Sequence, residues 1–277
     1  METQNILVPI DFSVCSKHAV KVAVELAMRW EAHIHLINAI RVPVPHADIG
    51  THAVIDPVIH EYEDDVKRSF DELEDEVPSL RAVTYHTKTY VSHVTDAISS
   101  EIDQKNIDLV VMGTKGSHDP IEKLLGSVSS EVISFAHIPV LMVPENISSL
   151  KIKKIGLALD NRAITMPKKL AIIPAIADIF DAEVVVFNIH KAGESVNFEK
   201  SHNGKLLSKL LKKTRHTYQH ITSDSLIDTI YDFIGSSHLD MLVVMPRKHG
   251  LLDSLFHKST SRNLSMKVKV PMLSIHQ

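Results

Sequence analysis

The chain has 277 residues, of which 44% are hydrophobic and 23% are charged, and its formal net charge is −4 at pH 7. These values are typical of globular proteins with buried cores, and the length suggests about two domains. No apolar stretch approaches the ~18 residues that cross a bilayer, and the first residues lack the basic region of a signal peptide. Because Cys15 is the only cysteine, an internal disulfide is excluded. We therefore expect a cytoplasmic protein with no membrane partner.

The charge is unevenly distributed. Residues 1–150 carry 11 Lys/Arg and 23 Asp/Glu, whereas residues 151–277 carry 19 and 11. The asymmetry fits either an acidic segment beside a nucleic-acid-binding half, or two folded halves that attract each other. The basic residues near 205–215 have no interleaved aromatic residues on which bases could stack. We therefore favour attraction between the halves and expect no nucleic-acid partner.

Strand-like and helix-like patterns alternate in the first half. In chain order they predict strand 6–10, helix 13–30, strand 33–40, helix 54–77, strand 82–91, helix 94–102, strand 107–113, helix 127–137 and strand 139–143. The strands are apolar without strict alternation, which is typical of parallel sheets buried on both faces. Five such strands joined by helices predict a doubly wound α/β layer.

Three segments of the first half recur in the same order in the second half. "NILVPIDFS" (5–13) returns as "KIGLALDNR" (154–162), "IDLVVMGTKG" (107–116) as "LDMLVVMPRKHG" (239–250), and "HIPVLMVPE" (137–145) as "KVPMLSIHQ" (269–277). This pattern predicts an internal duplication. We expect two tandem, doubly wound, parallel five-stranded sheets, in domains 1–146 and 152–277.

A glycine-rich loop follows the fourth predicted strand. "GTKGSHDPIEKLLGSVSSEV" (113–132) holds three of the nine glycines. Gly113 and Gly116 can take positive φ and let the backbone approach a bulky anion. Gly126 and Ser127 begin a helix whose N–H groups and dipole favour phosphate. The alternative is that the glycines serve only a turn and a helix cap.

Other side chains support an anion site at this loop. The hydroxyls of Ser127 and Ser129 can add hydrogen bonds, and Lys115 can add a mobile positive charge. Neither the P-loop motif nor the dinucleotide fingerprint is present. Asp11 ends the first strand, where it is either a ligand residue or the N-cap of helix 13–30.

The pattern Gly113-x2-Gly116-x9-Gly126-Ser127, after "DLVVM" and before "PVLMVP", resembles the ATP-binding motif of the universal stress proteins. The opening "ILVPIDFS" and its alanine-rich helix are similar to that family too. The resemblance covers both halves, as in a tandem universal stress protein. It implies a Rossmann-like fold of the adenine nucleotide alpha-hydrolase type, with strand order 3-2-1-4-5.

The resemblance also implies a nucleotide site, with ATP, alone or with Mg²⁺, as its ligand. The adenine and ribose would lie between Pro9, Asp11 and the backbone near Ala39; the ribose–phosphate path would be lined by Met112, Gly113, Lys115 and Gly116, and the phosphates held by Gly126, Ser127, Val128 and Ser129. The final strands, 139–143 and 270–275, would pair and make an intrachain pseudo-dimer, which would be able to form a homodimer.

The second half departs from the motif in "MPRKHGLLDSLFHKSTSRN" (245–263). Pro246 stands in place of the first glycine, His249 replaces the second, and His257-Lys258 replaces Gly-Ser. Proline fixes φ, and the other side chains fill the space of a ribose–phosphate. We therefore predict one nucleotide site per chain, in the first half. The second half is then a structural partner or a site for another ligand.

The sequence offers no catalytic or metal-binding motif. The eighteen histidines include no HExxH or Cys/His cluster. No nucleophile elbow, kinase loop or other catalytic set is present. We expect an ATP-binding regulatory protein of the stress response that is at most a weak ATPase. The alternatives are a slow ATP hydrolase, and a scaffold that acts through protein contacts without nucleotide.

Overall fold

The computed structural model describes residues 4–41, 52–114, 126–159, 162–190, 201–223, 226–246 and 269–276. The first half comprises β1 (Asn5–Pro9), α1 (Val14–Trp30), β2 (His33–Ile40), α2 (His52–Glu76), a 3-10 helix (Pro78–Ala82), β3 (Tyr85–Val91), α3 (Val94–Gln104), β4 (Leu109–Gly113), α4 (Ser127–Phe135) and β5 (Val140–Val143). The predicted elements are present, except that the 3-10 helix replaces the start of predicted strand 82–91.

The second half repeats this succession, and its first two helices are shorter than those of the first half. It comprises β6 (Lys154–Leu159), a 3-10 helix (Pro167–Ala171), α5 (Ile172–Phe180), β7 (Glu183–His190), α6 (His202–Leu210), β8 (His216–Thr222), α7 (Leu226–Ser236), β9 (Met241–Val244) and β10 (Met272–Ser274). No described helix is both long enough and apolar enough to cross a membrane.

The strands form one ten-stranded sheet in the order β3-β2-β1-β4-β5-β10-β9-β6-β7-β8. Each half therefore has the order 3-2-1-4-5, which confirms the predicted doubly wound α/β fold. All neighbouring strands are parallel except β5 and β10, which pair antiparallel with Leu141 opposite Leu273. Because these two strands pair, the two expected five-stranded sheets are continuous with each other.

Alternate residues of each strand face opposite layers of helices. In β1, Ile6 and Val8 pack with α1, while Leu7 packs with α3 and α4. Helices α1, α2, α5 and α6 cover one face of the sheet, and α3, α4 and α7 cover the other. Each face carries a hydrophobic cluster with residues from both halves. The core is therefore continuous across the junction of β5 and β10.

The acidic helix α2 obtains its counter-charges from the first half. Lys17 pairs with Glu76 at 2.7 Å, and Arg81 pairs with Glu74 at 2.7 Å and with Asp75 at 2.9 Å. The attraction that we expected between the acidic and basic halves therefore gains nothing from these ion pairs. The β5–β10 pairing and its buried side chains join the halves.

The continuous core predicts that damage at β10 destabilises the first half. Leu273 is fully buried and shares a hydrophobic cluster with Trp30, the single tryptophan. We expect Leu273→Ala to lower the free energy of unfolding by about 2–5 kcal/mol. The urea midpoint should fall by the same amount in Trp30 fluorescence as in far-UV circular dichroism. Lys209→Ala, on the exposed face of α6, is the control; an unchanged Trp30 transition in Leu273→Ala would show that the halves unfold separately.

Candidate functional site

A crevice lies where the two innermost strands of the first half meet. β1 and β4 pair in parallel, with Ile6 opposite Leu109 and Leu7 opposite Val110. After β1 the chain crosses to α1 on one face, and after β4 it reaches α4 on the other. The carboxyl ends of such strands form the usual ligand site of doubly wound sheets. The glycine motif therefore starts at the expected edge of the sheet.

The turn after β1 places Asp11 at this edge. Asp11 is exposed, and its Oδ1 accepts hydrogen bonds from the backbone N–H of Ser13 (3.1 Å) and the Ser13 hydroxyl (2.6 Å). The Ser13 side chain in turn accepts from the N–H of Ser16 and caps α1. The N-cap alternative for Asp11 is therefore wrong. Two residues with capping propensity compete here, and the left-handed conformation of Phe12 (φ 60°) gives the cap to Ser13.

Phe12 is a residue that the sequence analysis missed. A bulky side chain at positive φ is uncommon and costs free energy, so the surrounding contacts must hold it. Its ring packs against Phe70 of α2, with 5.2 Å between the ring centroids. The Asp11–Ser13 hydrogen bonds span the same turn. Contacts within the protein therefore hold this turn in its conformation.

The end of β4 carries the start of α4. The Thr114 carbonyl accepts a hydrogen bond from the N–H of Gly126 (2.6 Å), and the Thr114 N–H donates to the Val143 carbonyl (3.0 Å). Gly126 is the N-cap of α4, and the first bond of the helix runs from the Ser130 N–H to the Gly126 carbonyl. The N–H groups of the first turn have no acceptor within a helix. They therefore lie beside the carboxyl end of β4, where an anion would meet them.

The site residues predicted from the sequence lie in different environments. Pro9 and Met112 are buried, and Ala39 is half-buried at the end of β2. Ser127 is exposed and Val128 half-buried in the first turn of α4. Lys115 and Gly116 lie outside the described residues. The crevice thus brings together the ends of β1, β2 and β4 and the start of α4.

Gly113 is required for a reason other than the expected one. Its φ lies outside the left-handed range, so positive φ is not why this position is glycine. A Cβ at Gly113 would lie 2.8 Å from Sγ of Cys15 and 3.0 Å from its carbonyl carbon. Gly126 likewise has φ −66°. At Gly113, the close approach of α1 therefore explains the absence of a side chain.

Ser129 also differs from the expectation. It is 3% exposed, and its hydroxyl donates to the carbonyls of Gly113 (3.0 Å) and Thr114 (3.3 Å). This hydroxyl therefore donates its proton to backbone carbonyls and does not donate it to a phosphate. Ser129 instead attaches α4 to the end of β4 and can present only its backbone N–H to a ligand.

An asparagine near the end of the second strand recurs in both halves and was missed. Nδ2 of Asn38 donates to the Ile10 carbonyl at 2.8 Å, which fixes β2 to the residue after β1. Asn188 holds the same position in β7 and donates to the Leu159 carbonyl at 3.4 Å. Aligning the repeats strand by strand would have revealed this pair.

The second half forms a different crevice. Oδ1 of Asn188 and Nδ1 of His190 are buried and have no hydrogen-bond partner among the residues that the structure describes. A 3-10 helix, Pro167–Ala171, precedes α5, whereas α1 follows β1 after a short turn. Met245 and Pro246 follow β9, while Asp160, His249, His257 and Lys258 lie outside the described residues. The described part of this crevice is therefore less well hydrogen-bonded than that of the first half.

A polar cluster lies between β2, β3 and α3. Glu101, 1% exposed, accepts hydrogen bonds from Tyr90 and from Nζ of Lys88 (3.0 Å). Burial alone would raise the pKa of Glu101, but these hydrogen bonds and the Lys88 charge bring it below its ordinary value. Nδ1 of His35 lies 4.0 Å from Oε2 of Glu101, and Nε2 contacts Oδ1 of Asn5 at 3.2 Å.

His35 has a polar environment of its own. Burial lowers the pKa of His35, while the nearby charge of Glu101 opposes that shift. Among the described residues, no three His, Cys, Asp or Glu side chains are arranged to hold a metal ion. The cluster thus secures β2 and β3 to α3 beneath the strand ends.

Comparison with known proteins gives one consistent family. Residues 2–144 match the model of the universal stress protein family. Universal stress protein MJ0531 of Methanocaldococcus jannaschii is 29% identical over 143 residues, which are 50% of this chain and 81% of the relative.

Solved structures resemble the chain over its whole length. A universal stress protein from Archaeoglobus fulgidus DSM 4304 aligns with a TM-score of 0.71 and 13% identity, covering 100% of this chain and 99% of that one. A protein of unknown function from Pseudomonas aeruginosa PAO1 aligns with a TM-score of 0.56 and 14% identity, covering 99% and 93%. At these identities the likeness establishes the fold.

The packing at Gly113 predicts a specific destabilisation. Gly113→Ala should lower the free energy of unfolding by about 1–3 kcal/mol, because the new methyl group overlaps Cys15. The double variant with Cys15→Ala should lose less free energy of unfolding than the two single variants lose in sum, because Sγ is the atom nearest to the new methyl group. Chemical denaturation measures all three variants. Gly235→Ala is the control, because a Cβ at Gly235 meets no atom within 4 Å; a neutral Gly113→Ala would refute the packing role.

The burial of His35 predicts a stability that depends on pH. The folded protein binds a proton at His35 less readily than the unfolded chain, whose histidine titrates near 6.5. The contribution to stability is therefore complete above about pH 6.5 and is lost as the pH falls below it, with a slope of up to about 1.4 kcal/mol per pH unit. Denaturation between pH 7.5 and 5 should show a smaller slope for His35→Gln than for the natural chain. His60→Gln, at an exposed histidine, is the control. Equal slopes for the natural chain and both variants would contradict the role given to His35.

Proposed function

The chain belongs to the universal stress protein family, and from that premise we propose that it is an ATP-binding regulatory protein of the stress response, with the nucleotide held in the crevice of the first half. The observation that carries the proposal is the position of α4. Its first turn is attached to the end of β4 through Gly126 and Thr114, and it faces the edge of the sheet where Asp11 is exposed. We also propose that the protein acts in the cytoplasm.

The first turn of α4 supplies the phosphate-binding groups in this proposal. Its backbone N–H groups carry the positive end of the helix dipole, which favours an anion. Gly126 has no side chain to shield this turn, and the Ser127 side chain is exposed beside it. Since the Ser129 hydroxyl is engaged with carbonyls, Ser129 contributes its N–H alone.

The end of β1 supplies the groups for the sugar. A carboxylate repels phosphate but accepts hydrogen bonds from hydroxyl groups. Asp11 therefore suits the ribose hydroxyls, and Mg²⁺ would be needed only if phosphate oxygens came close to it. The adenine would lie over Pro9 and the half-buried Ala39. The remaining proposed contacts are Met112, Gly113, Lys115 and Gly116 along the ribose–phosphate path.

We further propose that residues 1–146 and 152–277 are two domains that act as an intrachain pseudo-dimer, able to form a homodimer. The antiparallel pairing of β5 and β10 supports this arrangement, because it relates the two halves through their last strands. Only the first half carries the glycine motif, so the proposal has one nucleotide per chain. In this proposal the second half has a structural or regulatory role.

Substitution at Gly126 tests the phosphate site. Its φ of −66° is accessible to any residue, so Gly126→Leu strains no backbone torsion while its side chain obstructs the first turn of α4. Because Gly126 is buried, far-UV circular dichroism first checks that the variant folds. We expect calorimetry to show ATP affinity reduced at least about tenfold, or 1.4 kcal/mol. The affinity for adenosine, which lacks phosphates, should fall by a smaller factor. Gly235→Leu is the matched control, because it adds the same side chain where a Cβ meets no neighbour.

The outcomes separate three functions. ATP binding that Gly126→Leu weakens, with no turnover, supports the regulatory protein. Repeated hydrolysis by the natural chain that is lost in Gly126→Leu would identify a slow ATP hydrolase. No detectable affinity of the natural chain for ATP would favour a scaffold that acts through protein contacts.

A further inference from the structure

Helix α1 has a polar stripe that the nucleotide proposal does not use. Cys15, His18, Val22, Glu25 and Arg29 are spaced three or four residues apart and so share one side of the helix. Four of these side chains contact groups outside α1, from the end of β5 to the end of α5. The stripe therefore runs from the candidate site to the second half.

The first contact of the stripe is at the crevice. Sγ of Cys15 donates to the Val143 carbonyl at 3.4 Å and lies 3.8 Å from the Thr114 hydroxyl. Thr114 also holds Gly126, the N-cap of α4, through its carbonyl. Thr114 thus contacts both the start of α1 and the turn of α4 that is proposed to bind phosphate. A displacement of α1 or of the start of α4 would therefore change the contacts of the other helix.

The middle of the stripe holds the segment that joins the two halves. Nδ1 of His18 lies 2.6 Å from the Glu145 carbonyl. Oε2 of Glu25 accepts hydrogen bonds from the Leu150 N–H (2.8 Å) and the Ser149 hydroxyl (3.3 Å). The connecting segment therefore lies along α1 and is bound to it at two places.

The last contact of the stripe is on the second half. Nη1 of Arg29 donates to the Ile179 carbonyl at 3.1 Å, and the guanidinium carbon lies 4.6 Å from the centroid of the Phe180 ring. Ile179 and Phe180 form the last turn of α5, where carbonyl groups lack helical partners and favour a cation. Arg29 also pairs with Glu25 at 3.4 Å, which orients its side chain.

The other end of α5 is connected to β10. The 3-10 helix that precedes α5 contains Lys169, whose Nζ donates to the His276 carbonyl at 3.1 Å. His276 follows β10, the strand that pairs with β5. The segment that begins α5 is therefore hydrogen-bonded to the end of the strand at the junction of the two halves.

We propose that helix α1 couples nucleotide occupancy of the first crevice to the position of α5 in the second half. The coupling rests on the proposed ATP site, because the ligand acts on the turn formed by Asp11 and Ser13. From Cys15 to Arg29 the helix spans about 21 Å, and a hydrogen-bonded helix of this length moves as a rigid body. Arg29 contacts α5 through one hydrogen bond and one cation–π contact. Both can form or break while the pairing of the strands stays intact. By thermodynamic reciprocity, the state of α5 also changes the affinity for nucleotide.

Hydrogen exchange on the full chain tests the coupling. In the natural protein, saturating ATP should slow exchange of the α5 amides within 172–180 by at least about fivefold, the lower end of typical coupling. In Arg29→Ala this slowing should fall below about twofold, while ATP still protects the first turn of α4. Met28→Ala is the matched control, because Met28 is 56% exposed, lies next to Arg29 and is outside the stripe. Each protein is compared with itself with and without ATP, so the readout is the ratio of the two exchange rates rather than the basal rate.

Three results would overturn the proposal. ATP protection confined to the first half in the natural protein would leave the ATP site intact and refute the coupling. Protection of α5 that persists in Arg29→Ala would show that another path carries it. No protection anywhere, together with no calorimetric heat on adding ATP, would refute the nucleotide site and the coupling with it.

Discussion

The close packing of the start of α1 against the ends of β4 and β5 is the constraint on which the other features depend. Cys15 occupies the space that a side chain at Gly113 would need, and its thiol donates to the Val143 carbonyl. This contact sets the distance between the turn that carries Asp11 and the strand end that carries α4. It also places α1 over β5, the strand that joins the halves. One buried contact therefore positions both sides of the candidate site and the junction.

The two halves have the same strand order but differently built crevices. In the first half, Asn38 makes a short hydrogen bond across the strand ends, and the start of α4 is attached through Thr114. In the second half, the equivalent Asn188 makes a longer bond, and its buried Oδ1 has no partner within the described part of the chain. A site that binds a charged ligand needs fixed donors, and the described groups of the first half supply them.

The sequence predicted the fold well because the relevant patterns are local. Apolar runs and their spacing were enough to identify the strands, and the family resemblance supplied their order. The three recurring segments predicted a duplication, with which the repeated strand order is consistent. Contacts between distant segments were not visible. Asp11 and Ser13 are both good caps, and the choice depends on the backbone of Phe12. Gly113 was noticed for its flexibility, but its neighbour Cys15 comes from another element. Nor does any sequence pattern show that the Ser129 hydroxyl faces carbonyls.

The central claim is that the first turn of α4, and no other part of the chain, holds the phosphates of an adenine nucleotide. A crystal structure of the full chain grown with a non-hydrolysable ATP analogue tests it most directly. We expect phosphate oxygens within hydrogen-bond distance of the backbone N–H groups of Val128 and Ser129, with the ribose beside Asp11 and no phosphate in the second crevice. Phosphate density beside the end of β9 or α6, with the first turn of α4 empty, would contradict it.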